Sequence, residues 1–373
     1  MKLCFFISTL NPGGAERVAS LLCNEWAKQH DVHLITLSSE PKPHFPLNPS
    51  IHLHSLNHTP NESLSIVQRL YRLGKRVKKL HQTLKELQPD VLISFMIESN
   101  IIASLASLPL KHKLVLSERT HPGYFRNPLL DHTLGRYSKW LRTDLSLVAN
   151  KVLRKRFYSR ADHVVVQTKH IADWFEKNTQ LTCNVIENPI DLSLYSATPT
   201  PSNQTITCIG RMTFEKGHDL LIHAFISIAK QHPDWNLNLY GDGPLRPSLQ
   251  KIAQQSPYSQ QIHFLGSTKK IPEVLNTTDI FVLPSLIEGF PNILLEALSS
   301  GCSILSTHYP GFPEYLTPYL KLCLPDDIAS MSTQLQELMN HSKLRETLKK
   351  STPKATQHLN TPLIAHQWIS IIQ

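Results

Sequence analysis

The chain alternates short apolar stretches with segments of helical pattern along its whole length. Within Ala15–Gln29, for example, Val18, Leu22 and Trp26 recur at helical spacing after an apolar run. This alternation is typical of a parallel sheet whose strands are joined by crossover helices. The strands predicted in the first part of the chain are Leu3–Ser8, Val32–Leu37, Asp90–Phe95, Leu114–Ser117 and Val164–Gln167.

A second series follows the polar, proline-containing stretch Thr198–Asn203. Two series separated by such a linker predict two α/β domains of Rossmann-like type, and 373 residues are enough to build both cores. We assign residues 1–190 to the first domain and 191–356 to the second. Because open parallel sheets bind ligands beyond the carboxyl ends of their strands, we expect two facing domains with a ligand cleft between them. The strands predicted in the second series are Thr205–Ile209, Leu237–Tyr240, Ile262–Leu265, Ile280–Pro284 and Ser303–Thr307.

Composition restricts the class of protein. Hydrophobic residues make up 41% and charged residues 18%, which is typical of a soluble globular chain. The six cysteines are scattered without a C-x-x-C pair, which argues against a disulfide framework and fits a reducing compartment. The sequence contains no run of eighteen apolar residues, so it predicts no transmembrane helix. We interpret the apolar start, Met1–Ile7, as a strand that leads into the Gly13-Gly14 turn and not as a signal peptide.

Charge is distributed unevenly along the chain. Residues 1–190 carry 25 Lys/Arg against 15 Asp/Glu, whereas the remainder is close to neutral. Much of the excess lies in Arg69–Lys85 and Arg136–Arg160, where apolar residues recur at helical spacing. Basic amphipathic helices can lie on anionic lipid, but a core-facing apolar stripe with a solvated basic back has the same pattern. Nucleic acid is not the expected partner, because we find neither a known binding motif nor an aromatic platform.

Several glycines and cations follow predicted strands. Gly14 lies where the first strand gives way to the first helix, and backbone N–H groups at such a turn attract phosphate. Arg211 and Lys216 follow the first strand of the second series. Two cations in this position can neutralise a diphosphate and the charge that develops as it leaves, and we expect both side chains to be exposed in the cleft. Each of these signals is weak alone. A glycine turn that binds no ligand has the same sequence pattern as the first, and two solvated surface charges have the same pattern as the second.

The sharpest motif is Glu288-Gly289-Phe290-Pro291-Asn292-Ile293-Leu294-Leu295-Glu296, which follows the strand Ile280–Pro284. Pro291 suits the first turn of a helix that ends at Gly301. Glu288 then precedes the helix and Glu296 lies about 12 Å further along its axis, which suits a long ligand with a sugar at one end and a ribose at the other. Backbone N–H groups of Asn292, Ile293 and Leu294 would face the phosphates between them. The alternative is an ordinary helix start with Glu296 as a surface glutamate.

We predict no metal site. Asp242 is not part of a D-x-D motif, and we find no other carboxylate cluster with the spacing of metal ligands. Histidine is abundant, with 20 residues, but most of these residues are isolated in predicted loops.

Taken together, the motifs resemble family 4 of the glycosyltransferases, which are retaining enzymes with the GT-B fold. Six pieces occur in the family's order and span nearly the whole chain. They are Gly13-Gly14-x-Glu16-Arg17, Ser117-Glu118-Arg119-x-x-Pro122, Asn188-Pro189-Ile190-Asp191, Gly210-Arg211 with Lys216-Gly217, Gly241-Asp242-Gly243-Pro244, and Glu288 with Glu296.

The resemblance implies a role for each matching position. Gly14 would approach the donor phosphates through its backbone, Arg211 and Lys216 would hold the diphosphate, Glu288 would contact the sugar and Glu296 the ribose. Transfer with retention would follow a front-face path, in which the leaving phosphate oxygen helps to take the acceptor's proton. No metal or other cofactor is implied, because the two cations neutralise the diphosphate.

One departure from the family concerns the acceptor side. Many members place a histidine directly after the strand that corresponds to Leu114–Ser117, whereas Glu118-Arg119-Thr120-His121 occupies that turn here. Arg119 and His121 are therefore both candidates for contact with the acceptor. The form with S-E-R-x-x-P resembles a branch of the family that is often found in surface-polysaccharide assembly.

The resemblance thus implies a hexosyltransferase that moves a hexose or N-acetylhexosamine from a nucleotide-diphosphate sugar, with UDP favoured. The acceptor would be a glycan or a polyprenyl-diphosphate-linked glycan of lipopolysaccharide O-antigen, capsule or exopolysaccharide. We expect a cytoplasmic enzyme, peripheral on the inner membrane, whose residues 357–373 cross back to the first domain as in other GT-B proteins. Two other classes stay open: a nucleotide-sugar-binding protein without transferase activity, and a basic nucleic-acid-binding protein.

Overall fold

The computed structural model of the protein describes residues 1–38, 43–58, 66–122, 144–195 and 204–373. The chain forms two compact units. The N-terminal unit comprises Met1–Pro189 together with Thr361–Gln373, and the C-terminal unit comprises Ile190–Asn360. The predicted linker, Thr198–Asn203, lies outside the described residues. Residues 136–143 of the basic segment Arg136–Arg160 also lie outside them, and only the backbone of residues 144–150 is described.

The N-terminal unit is built on a seven-stranded sheet whose neighbouring strands pair in parallel in the order β3-β2-β1-β4-β5-β6-β7. Apolar runs form its central strands, because a parallel sheet covered on both faces buries every side chain. In β1, for instance, Cys4, Phe5 and Phe6 are all buried. The strands are β1 (Lys2–Ile7), β2 (Asp31–Ser38), β3 (His52–His58), β4 (Val91–Phe95), β5 (Lys113–Ser117), β6 (His163–Val166) and β7 (Asn184–Val185).

The helices of this unit cover the two faces of the sheet. On one face Leu80 and Leu84 pack with Phe6 and Ile35 in a common core. On the other face Phe5 contacts Phe95 edge to face, with ring centroids 4.6 Å apart. The helices are α1 (Gly14–Trp26), α2 (Ile66–Leu87), α3 (Ile97–Ala106), α4 (Asp144–Tyr158) and α5 (Lys169–Thr179), and a sixth, α12 (Thr361–Ile372), comes from the end of the chain.

Helix α12 packs in the N-terminal unit through its apolar side chains. Trp368 is fully buried and lies 5.7 Å from Phe95 and 6.3 Å from Trp26, measured between ring centroids. The indole N–H of Trp26 donates to the carbonyl of Ala365 at 3.2 Å. The return to this unit, expected from about residue 357, begins at Thr361 in the structure.

The C-terminal unit contains a six-stranded sheet in the order β10-β9-β8-β11-β12-β13, again with parallel neighbours. Its strands are β8 (Thr205–Ile209), β9 (Asn236–Tyr240), β10 (Ile262–Gly266), β11 (Ile280–Leu283), β12 (Ser303–Thr307) and β13 (Lys321–Cys323). Its helices are α6 (His218–Ile228), α7 (Arg246–Gln254), α8 (Ile271–Asn276), α9 (Asn292–Ser299), α10 (Ile328–Asn340) and α11 (Ser342–Ser351).

Both sheets have the strand order of the Rossmann fold. The order reverses between β1 and β4 in one unit and between β8 and β11 in the other. Loops on either side of such a reversal leave the sheet in opposite directions, which opens a crevice where ligands bind. The predicted α/β class with two Rossmann-like sheets is therefore confirmed.

Each strand predicted from the sequence is present, whereas three strands were missed. The missed strands, β3, β7 and β13, all lie at an edge of their sheet. An edge strand is covered less completely than a central one, so it lacks the continuous apolar run that identifies central strands. Strand β3 (HLHSLNH) is mostly polar and β7 has only two residues. Among the helices in the described part of the chain, none is long and apolar enough to cross a membrane.

Candidate active site

The loops that follow β8, β9 and β11 meet at the strand-order reversal of the C-terminal unit. Gly241 has φ of +127°, and a Cβ atom there would lie 1.9 Å from the carbonyl oxygen of Gly210. Gly217 has φ of +61°, and its Cβ atom would lie 2.1 Å from the carbonyl oxygen of Pro284. No side chain fits at either position. These two glycines therefore bring three loop backbones into direct contact.

Lys216 and Glu288 come from two of these loops and form an ion pair. The Nζ atom of Lys216 lies 2.5 Å from Oε1 of Glu288, which also accepts a hydrogen bond of 2.7 Å from the Ser285 hydroxyl. Both side chains are largely buried, which contrasts with the expectation that Lys216 is exposed. Arg211 is exposed as expected. Three predicted site residues thus belong to the loops of one strand-order reversal.

The backbone holds this arrangement. The carbonyl of Glu215 accepts a hydrogen bond of 2.8 Å from the N–H of Leu286, which ties the loop after β8 to the loop after β11. The Thr307 hydroxyl donates to the carbonyl of Ser285 from the end of β12. Because neighbouring strands position both partners, the Lys216–Glu288 pair needs little reorganisation.

Helix α9 begins at Asn292, one residue after the position predicted for its first turn, and Pro291 is its N-cap. The N–H of Leu294 donates to the carbonyl of Pro291 at 3.1 Å, so this predicted phosphate donor already has a partner within the turn. Ile293 is then a better candidate for an outward N–H, because the first turn of a helix leaves such groups unused by the helix itself. The helix ends at Ser299 with Gly301 at φ of +73° behind it, which agrees with the predicted stop.

Glu296 is not a surface residue. Its side chain lies in the second turn of α9, and the residue is only 3% exposed. A buried carboxylate is costly unless it is paired or hydrogen-bonded, so the surroundings of Glu296 differ from those of a solvated glutamate. The alternative of an ordinary surface glutamate is wrong.

Two residues near the ion pair were missed by the sequence analysis. His218 opens α6 and is buried, and among the described residues neither ring nitrogen has a hydrogen-bond partner. Burial, with a smaller effect of the Lys216 charge, lowers the pKa of His218 to about 4, so its ring is neutral at pH 7. The Tyr309 hydroxyl is likewise buried without a partner in the described part of the chain. Burial first, and then the Glu288 charge, raises the pKa of Tyr309.

The turn after β1 in the N-terminal unit contains the other predicted phosphate contact. Gly14 is the first residue of α1, preceded by Gly13 as the N-cap. The Thr9 hydroxyl donates to Glu16 at 3.2 Å, and the guanidinium of Arg17 lies 5.7 Å from the ring centre of Phe45. These contacts hold the side chains of the first helical turn, so the backbone of Gly14 stands at a well-defined helix start.

Glu118, in the turn after β5, is a buried anchor. Its Oε2 atom lies 2.9 Å from Nε of Arg154 and accepts a hydrogen bond of 3.0 Å from the Tyr158 hydroxyl. Glu118 has no exposed surface, and Arg154 is 4% exposed. Gln167 donates to the carbonyl of Glu118 from the end of β6. From the sequence Glu118 is only part of a motif, whereas in the structure its contacts fix this turn.

The two acceptor-side candidates lie beside this anchor. Arg119 donates to the side-chain amide oxygen of Asn188 and lies over the ring of Phe95, 4.5 Å from its centre. His121 stacks on His170 with ring centroids 5.1 Å apart. Burial, followed by the charges of His170 and Arg154, lowers the pKa of His121 to about 4. His121 is therefore a neutral imidazole at pH 7, which can accept a hydrogen bond.

Comparison with known proteins agrees with these observations. The family Glycosyltransferase Family 4 matches residues 12–194, and Glycosyl transferases group 1 matches residues 197–355. A Campylobacter jejuni relative, GalNAc-alpha-(1->4)-GalNAc-alpha-(1->3)-diNAcBac-PP-undecaprenol alpha-1,4-N-acetyl-D-galactosaminyltransferase, is 26% identical over 381 residues, which cover 100% of this chain and 98% of the relative.

Two solved structures share the fold over the whole chain. Sucrose-phosphate synthase from Thermosynechococcus elongatus superposes with a TM-score of 0.82 at 16% identity, covering 99% of this chain and 98% of that one. Anabaena HepE in complex with UDP-glucose has a TM-score of 0.76 at 18% identity, with coverage of 99% and 98%.

Two Rossmann-type sheets, with cations and carboxylates in the loops after their strands, define this protein as a glycosyltransferase with the GT-B fold. It is an enzyme. The alternative of a nucleotide-sugar-binding protein without transferase activity is therefore set aside. More narrowly, the chain belongs to family 4 of the glycosyltransferases, as its motifs suggested.

Proposed function

We propose that this enzyme transfers a hexose or N-acetylhexosamine from a UDP-sugar to a lipid-linked glycan during the assembly of a cell-surface polysaccharide. The observation that carries the proposal is the Lys216–Glu288 pair beside Arg211, at the strand-order reversal of the C-terminal unit. A cation paired with a carboxylate offers one group to a diphosphate and one to the hydroxyls of the attached sugar. The Campylobacter jejuni relative, named for transfer to a PP-undecaprenol glycan, supports the acceptor class.

In this proposal each loop binds a different part of the donor. Arg211 and Lys216 bind the diphosphate, and the N–H of Ile293 adds a backbone donor at the start of α9. Glu288 accepts hydrogen bonds from the sugar, and the buried Glu296 accepts them from the ribose. Gly14 stays a prediction for backbone contact with the phosphates. Asn292, also predicted on the donor side, lies in the same first turn of α9.

The reaction proposed is a front-face substitution with retention. The bond between the sugar's anomeric carbon and the phosphate oxygen breaks as the acceptor hydroxyl attacks from the same face. The leaving phosphate oxygen takes the acceptor's proton, so no enzyme nucleophile is needed. Arg211 and Lys216 stabilise the negative charge that develops on the diphosphate, which is the main requirement for such a departure. Arg119 and His121 are proposed to orient the acceptor.

The donor and the metal requirement can be tested together. Purified enzyme is incubated with a panel of UDP- and GDP-sugars in excess EDTA, and nucleotide release is measured with and without a polyprenyl-diphosphate-linked glycan. We expect one UDP-sugar to be turned over at an unchanged rate in EDTA, because the two cations replace a divalent ion. Complete loss of turnover that magnesium or manganese restores would contradict this mechanism, and preference for a GDP-sugar would correct the donor.

We further propose that the enzyme is peripheral on the cytoplasmic face of the inner membrane and that α2 contacts anionic lipid. Leu70 and Tyr71 are more than 60% exposed near the start of the helix, and Lys75 and Lys78 are exposed one and two turns later. Apolar side chains with neighbouring cations are the pattern of a helix that lies at a lipid surface.

The structure changes which cations of α2 are available. Arg76 forms an ion pair with Glu98, and Lys79 donates to the carbonyl of Leu56 at 2.8 Å. The side chain of Arg69 lies outside the described residues. Arg72, Lys75 and Lys78, which lie within about two turns of Leu70 and Tyr71, therefore remain as the proposed lipid-facing set, whereas the exposed Lys85 lies at the far end of the helix.

Replacing Arg72, Lys75 and Lys78 with glutamine is expected to weaken binding to anionic vesicles by up to about a hundredfold. Each cation near such a surface contributes about 1 kcal/mol, and salt should weaken the wild-type attachment because it screens these charges. Cosedimentation with phosphatidylglycerol vesicles measures the effect. The matched control replaces three exposed lysines of the C-terminal unit, Lys230, Lys343 and Lys350, with glutamine. Equal loss in both variants would reject α2 as the specific contact.

A further inference from the structure

Four side chains with metal-binding potential lie together on two neighbouring strands of the N-terminal unit. Asp31 and His33 belong to β2, and His52 and His54 belong to β3. In each pair the residues are two apart, so they point to the same face of the sheet. The parallel register pairs His33 with His52, which brings all four onto one patch. The topology therefore gathers three imidazoles and a carboxylate that the sequence separates.

The ligand atoms have spacings that a small cation can bridge. Nε2 of His33 lies 3.2 Å and Nε2 of His52 lies 3.6 Å from the same carboxylate oxygen of Asp31. One ligand atom from each of the three residues lies within 4.8 Å of the others. Tetrahedral zinc with bonds of about 2.0–2.1 Å separates its ligands by about 3.4 Å. The distances of 3.2 and 3.6 Å from the Asp31 oxygen are close to that value.

The fourth residue, His54, lies where it can orient the His33 ring. Nδ1 of His33 lies 2.9 Å from Nε2 of His54, a hydrogen-bonding distance that uses the ring nitrogen of His33 opposite to Asp31. A histidine that binds metal commonly donates its other N–H to such a partner, which fixes its tautomer and orientation. Nε2 of His33 is itself buried and makes no hydrogen bond of acceptable geometry within the described part of the chain. It is thus held in place for a ligand.

Access and charge also suit a cation. The side chain of His33 is 10% exposed, whereas those of Asp31 and His52 are 45% and 61% exposed, so an ion can enter from solvent. Lys2 is in register with Asp31, but its ammonium group is bound to the carbonyl of Leu87 at 2.9 Å. Asp31 supplies a negative charge that favours binding of a cation.

We propose that Asp31, His33 and His52 bind a zinc ion, with water as the fourth ligand and His54 supporting His33. Two imidazoles and one carboxylate form a ligand set that zinc accepts readily. The site lies at the amino end of β2, whereas the active-site loops follow carboxyl ends of strands. β2 has eight residues and spans about 26 Å at 3.3 Å per residue. The ion therefore links the edge strand β3 to its neighbour β2 and takes no part in sugar transfer.

The test uses the whole protein without a histidine tag, stripped of metal with EDTA and dialysed. Titration with zinc alone, followed by calorimetry, should show one saturable site of micromolar affinity or tighter. Titration with cobalt alone should give visible absorption bands of tetrahedral cobalt. Zinc should also raise the midpoint of thermal unfolding while turnover stays the same with and without it. Absence of a saturable site would overturn the proposal.

Three variants locate the site. His52→Gln removes an exposed ligand and should weaken zinc binding about a hundredfold or more, and His54→Gln should weaken it about tenfold. His223→Gln, at an exposed position on α6, is the matched control and should bind zinc as the wild type does. If His52→Gln retains full affinity, or if several weak sites persist in every variant, zinc binds to scattered surface histidines and the proposal is wrong.

Discussion

Replacing Arg211 with alanine is expected to lower turnover about a hundredfold or more, because losing one group that stabilises transition-state charge commonly costs this much. Arg211 is exposed, and substitutions at exposed positions usually change stability little. The unfolding transition should therefore be unchanged. Steady-state turnover with saturating donor measures the effect, and Lys230→Ala, at an exposed position of the same unit, is the control.

Lys216→Ala is expected to reduce turnover by a similar factor, with one difference. Its removal takes away the cation paired with Glu288 and leaves the hydrogen bond from the Ser285 hydroxyl, so a modest loss of stability should accompany the loss of activity. Glu288→Gln in the same background separates the two effects, because it removes the uncompensated charge without restoring the cation. If either Arg211→Ala or Lys216→Ala keeps near-normal turnover, that residue has no role in the departure of the diphosphate.

Replacing Arg154 with methionine is expected to destabilise the N-terminal unit by about 3–5 kcal/mol, since it leaves a buried carboxylate without its cation. Glu118 is fully buried, and its remaining contacts include the hydroxyl groups of Tyr158 and Thr120. Urea unfolding followed by signals of this unit measures the loss. Arg156→Met, at an exposed position on the same helix, is the matched control and should change stability little.

The double variant Glu118→Leu with Arg154→Met tests the cause. If the uncompensated charge is responsible, removing both partners should recover much of the lost stability, because an apolar pair of similar size replaces a buried ion pair at little cost. If the double variant is as unstable as Arg154→Met alone, then packing of the long arginine side chain against Trp174 is the larger contribution.

The strands that sequence reasoning recovered and those it missed have different environments. Central strands such as β1 and β11 are covered on both faces, so their apolar runs are visible in one dimension. The edge strand β3 lacks such a run, and with it the cluster at His52 and His54 was missed. The D-x-H of Asp31-Val32-His33 and the H-x-H of His52-Leu53-His54 were signals that could have been noticed, but nothing in the sequence places β3 next to β2.

The active-site loops show the same division. Gly217, Lys216 and Glu288 were identified by motif, because strand ends and helix starts restrict which residue types can occur there. Their pairing across 72 positions of sequence was not predicted, nor was the burial of Glu296. His218 and Tyr309 carry no local signature, and only the packing around them isolates their polar atoms and shifts their pKa values.

By itself, the sequence determined the alternation of strands and helices, the division into two Rossmann-like sheets and the family, and it named the donor-side residues on which the proposed function rests. These depend on local periodicity and on the conformational demands of glycine and proline, which act between near neighbours in the chain. Tertiary structure alone decided which charges meet. Glu118 with Arg154, Lys216 with Glu288 and Asp31 with His52 are brought together by strand order and register, and no local preference encodes contacts between such distant residues.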